Sequence, residues 1–110
     1  MPAMQIKWSE QSREDLHSIL AYVGETFGKT AASAALTDIR STAETLSNFP
    51  MAGKKFVVDK ELNITYRTMA TKMNQIVYYI DGEDLNIVTV WANRRDIGKL
   101  KKQLSNKRIQ

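Results

Sequence analysis

Asn93-Arg94-Arg95-Asp96 follows the most strand-like run of the chain, Asn86 to Ala92, so two guanidiniums stand where a buried element meets solvent. Each guanidinium offers several donors in a planar fork that matches a carboxylate or a phosphate. Lysines and an arginine continue from Lys99 to Arg108. The charge balance from Arg94 onward is +6, against −2 over residues 1–53. That asymmetry sets up a local positive field suited to an acidic polypeptide or a polyanion. A solubilising tail would have the same composition.

Arg67 is a second candidate, because a charge there interrupts the alternation of Leu62, Ile64 and Tyr66. If the sheet has an open face, Arg67 is expected to point into it with Ile64 and Tyr66 packed beneath; plain solvent exposure is the competing reading. Tyr78 and Tyr79 are strand neighbours and leave the backbone toward opposite faces, so one supports the core while the other lines a surface. Lys54, Lys55 and Lys60 can gather phosphate oxygens without base specificity, or simply solvate a loop. Trp8 and Trp91 sit among apolar strand residues and read as core anchors.

Acid–base chemistry needs a donor and an acceptor close to the reacting group. His17, the one histidine, lies beside an apolar helical stripe and far in sequence from the arginines. Asp81, Glu83 and Asp84 cluster around Gly82 and read as a turn. With no cysteine and no His-rich cluster, neither a metal site nor a disulfide framework is expected. There is no glycine-rich phosphate cradle with its lysine, and no cofactor is expected.

The elements that must position these residues follow from hydrophobic period. Met4 to Trp8 alternates as a short strand, and Ser9 is placed to cap a helix. Leu16, Ile19, Leu20, Val23 and Phe27 recur at three and four residues, and Gly28 turns the chain. Ala32, Ala35, Leu36, Ile39, Ala43 and Leu46 mark a second helix over roughly 30–46, stopped by Asn48-Phe49-Pro50. Residues 51–61 read as a connection. Three strands are expected next, over 62–67, 73–80 and 85–92, with Asp81-Gly82-Glu83-Asp84 as the turn between the last two. Ile97, Leu100 and Leu104 give a short basic helix over 96–104, and residues 105–110 are expected to form a flexible tail.

These elements predict an α+β fold: an N-terminal strand, an αα-hairpin packed on a small, mostly antiparallel sheet, and the basic C-terminal helix. The length of 110 residues suits one domain spanning 1–110. No run approaches membrane-spanning length and the N-terminus carries no apolar signal segment, so a cytoplasmic protein with no membrane partner is the expectation.

Ile6-Lys7-Trp8-Ser9, Leu46-Ser47-Asn48-Phe49-Pro50, Gly53, Tyr66-Arg67, Ile76 to Ile80, Ile87 to Trp91 and Arg94-Arg95-Asp96 occur in this order over nearly the whole chain. In that order and spacing they resemble the RelE/ParE superfamily of bacterial type II toxins. The resemblance implies a toxin neutralised by a cognate antitoxin, in a possible toxin–antitoxin heterotetramer. It also implies that Arg67 and Arg94 match functional basic positions. The late histidine or tyrosine of the messenger-RNA-cleaving branch has no counterpart after Trp91. The Arg94-Arg95-Asp96 ending looks more like the ParE branch, associated with inhibition of DNA gyrase.

The reading that follows is a ParE-like toxin arresting growth through an essential target, gyrase first. The alternatives are a ribosome-dependent mRNA endonuclease and an inactive protein-binding module of the same fold. Arg67, Arg94, Arg95, Tyr78 and Tyr79 are the catalytic candidates; Arg67, Arg94, Arg95, Lys54, Lys55 and Lys99 are the binding candidates.

Overall fold

A computed structural model describes residues 2–106; residues 107–110, with most of the expected tail, lie outside the described residues. Strand β1 (Gln5–Trp8) leads into a helical hairpin of α1 (Glu10–Phe27) and α2 (Lys29–Asn48). Ser9 starts α1 by accepting the Ser12 amide on its hydroxyl oxygen at 3.0 Å, satisfying one of the first-turn donors. The same hydroxyl donates to the Val88 carbonyl at 2.8 Å, so one side chain both caps the helix and ties it to the sheet. Gly28 holds the hairpin bend at φ 98, a region closed to most side chains.

After a 3-10 turn at Pro50–Ala52 come β2 (Lys54–Asp59), β3 (Ile64–Ala70), β4 (Asn74–Asp81) and β5 (Asp84–Ala92). The sheet order is β1-β5-β4-β3-β2. All neighbours are antiparallel except β1 and β5, which run parallel because the whole hairpin crosses between them. The Gly82-Glu83 turn joins β4 to β5 with φ 60 at Gly82 and no positive φ at Glu83, the II′ pattern that suits strand twist.

Two cores sit on the two faces. On the hairpin face Ile19, Val23, Ile39 and Leu46 pack on Ile76, Tyr78, Ile87 and Val90. On the other face Leu100 and Leu104 of α3 (Ile97–Asn106) pack on Tyr66, Val77 and Trp91. Strands β4 and β5 are therefore covered on both sides, which is why their apolar residues fall at both parities.

The predicted architecture holds, with one element added. Residues 51–61 contain β2, an edge strand, where a plain connection is expected from sequence. Its signal is weak because two lysines open it and a register irregularity between Lys55 and Val57 breaks the alternation. Lysines on an edge also discourage pairing with another chain. Strand β3 starts two residues later than the alternation suggests and runs on to Ala70, because Asn63 adopts φ 56 in the preceding turn. Helix α3 continues two residues past Leu104, so residues 105 and 106 belong to it.

Candidate functional site

The two tyrosines resolve as strand geometry requires. Tyr78 faces the hairpin core and is 0% exposed. Its hydroxyl donates to the Pro50 carbonyl at 2.7 Å and accepts the buried Gly53 amide at 3.0 Å. Arg67 stands opposite Tyr78 in the β3–β4 register, so it shares that face, and its Nη1 donates to the Gly53 carbonyl at 2.9 Å. A Cβ on Gly53 would collide with the Tyr78 hydroxyl, its ring and the Thr68 carbonyl. Arg67 thus locks the connector after α2 onto the sheet edge. It does not rise over Ile64 and Tyr66, which face the other way.

Burial pushes the Tyr78 phenol above its ordinary value, and the Gly53 amide and the Arg67 guanidinium offset that only in part. A phenol so placed keeps its proton at neutral pH and is committed to two structural hydrogen bonds.

Arg94 and Arg95 part company at the end of β5. The Arg94 guanidinium lies 4.0 Å over the Tyr22 ring of α1, on the hairpin side. The Arg95 guanidinium lies 3.7 Å over the Trp91 ring, on the α3 side. Both are exposed, so each is held flat by a π-face while its edge donors stay open to a partner. Beside Arg94 a depression of about 250 Å³ is lined by Ile19, Tyr22, Val23, Lys72 and Met73. Ala92, where β5 ends, lies opposite Asn74, four residues along β4 from the Tyr78 row. The end of β5 that leads to Arg94 is therefore about 13 Å along the strands from the backbone of Arg67. The three arginines do not form one patch.

The sheet face left open by α3 carries a row across the strands: Lys7 opposite Asn86, Asn86 opposite Tyr79, and Tyr79 edge-to-face with Tyr66 at 5.9 Å. With Trp8, Ile64 and Val88 they line a groove of about 350 Å³. Burial raises the Tyr66 phenol, and Asp59 and Tyr79 add to the shift. Of the two tyrosines proposed from sequence, Tyr79 is the one available to a partner.

Lys54, Lys55 and Lys99 are exposed, the first two at the start of β2 and the last on α3. His17 is exposed on α1, apart from the arginines. Among the described residues there is no group of three His, Cys, Asp or Glu side chains that could hold a metal. No helix among them is long and apolar enough to cross a membrane.

Asp15 is the residue that sequence reasoning passed over. Its Oδ2 accepts the Thr89 hydroxyl and, at 3.1 Å, the Val90 amide, while Oδ1 accepts Gln11 Nε2 at 2.9 Å. It fastens α1 to β5 next to the register irregularity opposite Val77 and Tyr78. Asp15 precedes Ile19 and Val23 by four and eight residues, a spacing that places it on the buried stripe.

Comparison with known proteins agrees with this fold. A family model described as the ParE toxin of the type II toxin-antitoxin system, parDE, matches residues 6–97. The chain is similar in fold to a structure of the chromosomal ParDE toxin-antitoxin system from P. aeruginosa, with TM-score 0.69 and 20% identity over 82% of this chain and 96% of that one. It is also similar to a chain of the toxin-antitoxin complex RelBE2 from Mycobacterium tuberculosis, with TM-score 0.54 and 18% identity over 83% of this chain and 99% of that one. No curated protein matches by sequence.

Proposed function

The chain belongs to the ParE toxin family of type II toxin-antitoxin systems, and from that premise we propose that it arrests bacterial growth by binding and disabling DNA gyrase, and that a cognate antitoxin neutralises it. The observation that carries the target reading is the state of the arginines. Arg94 and Arg95 are held over aromatic rings with their donor edges outward, the arrangement of recognition residues at protein interfaces. Arg67 and Tyr78 are engaged in holding the Gly53 connector, so their geometry supports positioning and not proton transfer.

One feature favours a second reading, ribosome-dependent cleavage of messenger RNA. The Tyr66–Tyr79 pair beside Lys7 offers a π-surface and a cation in one groove, which could stack a base and hold a phosphate. Controlled expression with two parallel assays separates them. Loss of supercoiling by purified gyrase, with ribosome-bound mRNA intact, is the expected result. Codon-linked cleavage with normal supercoiling would select the nuclease, and no growth defect from verified soluble protein would remove both.

A further inference from the structure

The antiparallel order brings the start of β2, the end of β3, the start of β4 and the end of β5 to the same end of the sheet. Helix α3 begins just beyond that end of β5 and lies across the face opposite the hairpin. Its Lys101 Nζ comes within 5.4 Å of the Phe56 ring centroid on β2. One exposed rim therefore collects Arg95, then Lys99, Lys101 and Lys102, then Lys54, while Lys55, opposite Arg67, leaves β2 toward the hairpin face.

Asp96 is the one carboxylate in the segment from Asn93 to Asn106, and its Oδ1 accepts the Gly98 amide at 2.8 Å. Asp59, Asp81, Glu83 and Asp84 lie at the other end of the strands. The salt bridge found among the described residues, Lys7 to Asp84 at 3.3 Å, is also down there. Asp38 also stands at the rim's end of the sheet, but on the hairpin side, where its Oδ2 accepts the Lys72 amide at 3.0 Å. On the α3 side charge is divided along the strand direction, and among the described residues no salt bridge to a rim cation is found.

We propose that this rim binds the phosphate backbone of duplex DNA. Its length is set twice over by the fold. Three strand spacings from β5 to β2 come to about 14 Å, and the helix laid across them is about 15 Å long. Duplex DNA carries one phosphate per about 3.4 Å of axis on each strand, but the strand winds about that axis, so neighbouring phosphates stand about twice as far apart and a straight rim of this length meets about two or three of one strand. A single-stranded partner is held by bases stacked on free aromatic faces. The rings at this rim are already occupied: Arg95 covers Trp91, which is 1% exposed, and Lys101 approaches Phe56. Backbone contact without base contact is what remains, and a stiff duplex supplies the densest regular row of charge. The proposal goes beyond the growth-arrest reading and stands whichever target that reading proves to have.

The test is fluorescence anisotropy of the intact chain with a labelled duplex of about 20 base pairs, between about 50 and about 200 mM salt. Two or three phosphates predict a slope of log K against log salt of about −1.8 to −2.7, a weakening of about 12- to 40-fold over that range. Replacing Lys99, Lys101 and Lys102 by Gln should make the slope shallower by at least about one and weaken binding at low salt. Lys54→Gln, on a separate element, should also make the slope shallower, so a disturbed α3 cannot alone produce the result. Arg40→Gln, on the exposed side of α2, should change neither quantity. Absence of binding at low salt, or a slope unchanged in both sets of variants, would overturn the proposal. So would tighter binding of a single-stranded RNA of equal length, which would make RNA the partner.

Discussion

Removing one oxygen from Tyr78 should cost this protein a large part of its stability. In Tyr78→Phe the ring still fills its place in the hairpin core, so no cavity larger than a hydroxyl is made. What is lost is the acceptor for the buried Gly53 amide and the donor to the Pro50 carbonyl. An orphaned buried amide costs about 1–3 kcal/mol, and the second bond contributes about 1 kcal/mol because the Pro50 carbonyl can regain water. The expected loss is therefore about 2–4 kcal/mol, out of a total that for a domain of this size is about 5–15 kcal/mol.

Urea unfolding reads this directly as a lower midpoint with an unchanged slope. Tyr79→Phe is the control, because that ring lies half-exposed in the open groove, and it should stay within about 0.5 kcal/mol. Arg67→Met removes the bond to the Gly53 carbonyl, and the two variants should be non-additive because both bonds fix the same residue, one through its amide and one through its carbonyl. A Tyr78→Phe cost no greater than that of Tyr79→Phe would refute the claim that this hydroxyl locks the connector.

Asp15→Ala should destabilise by about 2–4 kcal/mol, since a buried hydroxyl and a buried amide lose their acceptor; hydrogen exchange at the Val90 amide should accelerate, and unaltered exchange would refute the link. Raised phenols at Tyr66 and Tyr78 mean that the folded state favours the protonated forms. Their contribution is complete below the unfolded phenol value of about 10 and is lost as pH rises above it. Thermal melts should therefore show a fall above about pH 10 that Tyr66→Phe and Tyr78→Phe reduce. Arg94→Ala and Arg95→Ala should each cost no more than about 1 kcal/mol, as expected for exposed cation–π contacts. Either variant should weaken toxicity or antitoxin binding; folded variants with both unchanged would remove the arginines from the interaction surface.

The parts of the fold legible in sequence were those with an unbroken period. The stripe through Ile19 and Val23, and the one through Ile39, Ala43 and Leu46, specify helices and their buried sides together. Strand β2 was illegible because edge position, paired lysines and a register irregularity each erase alternation. For the candidate site, strand parity showed that Tyr78 and Tyr79 must diverge but carried no information on which side the hairpin lies. The face of Arg67 is hidden for the same reason: its parity ties it to Tyr78, and only the packing of the helices shows that this is the hairpin face. Arg94 and Arg95 lie beyond the strand, where parity no longer applies, and the rings that claim them come from α1 and from β5 itself. Asp15 was hidden by its residue type, since an acid on a helix is ordinarily solvated.

The parallel seam between β1 and β5 has a consequence in time. Ser9 meets Val88 across 79 residues of chain, so β1, made well before β5, is among the last strands to find its place. Closing so long a loop has an entropic cost that is recovered only when β5 is available, which makes the seam a late and slow event. Until then the hairpin has no β5 to cover its inner side, and the nascent chain presents apolar surface and an unpaired β4 edge. A half-made chain is consequently not a weakened form of the finished one: it lacks the seam, the Asp15 anchorage and the exit of β5 that places both arginines. Translation to the end of β5 sets the earliest moment at which the β1–β5 seam can close.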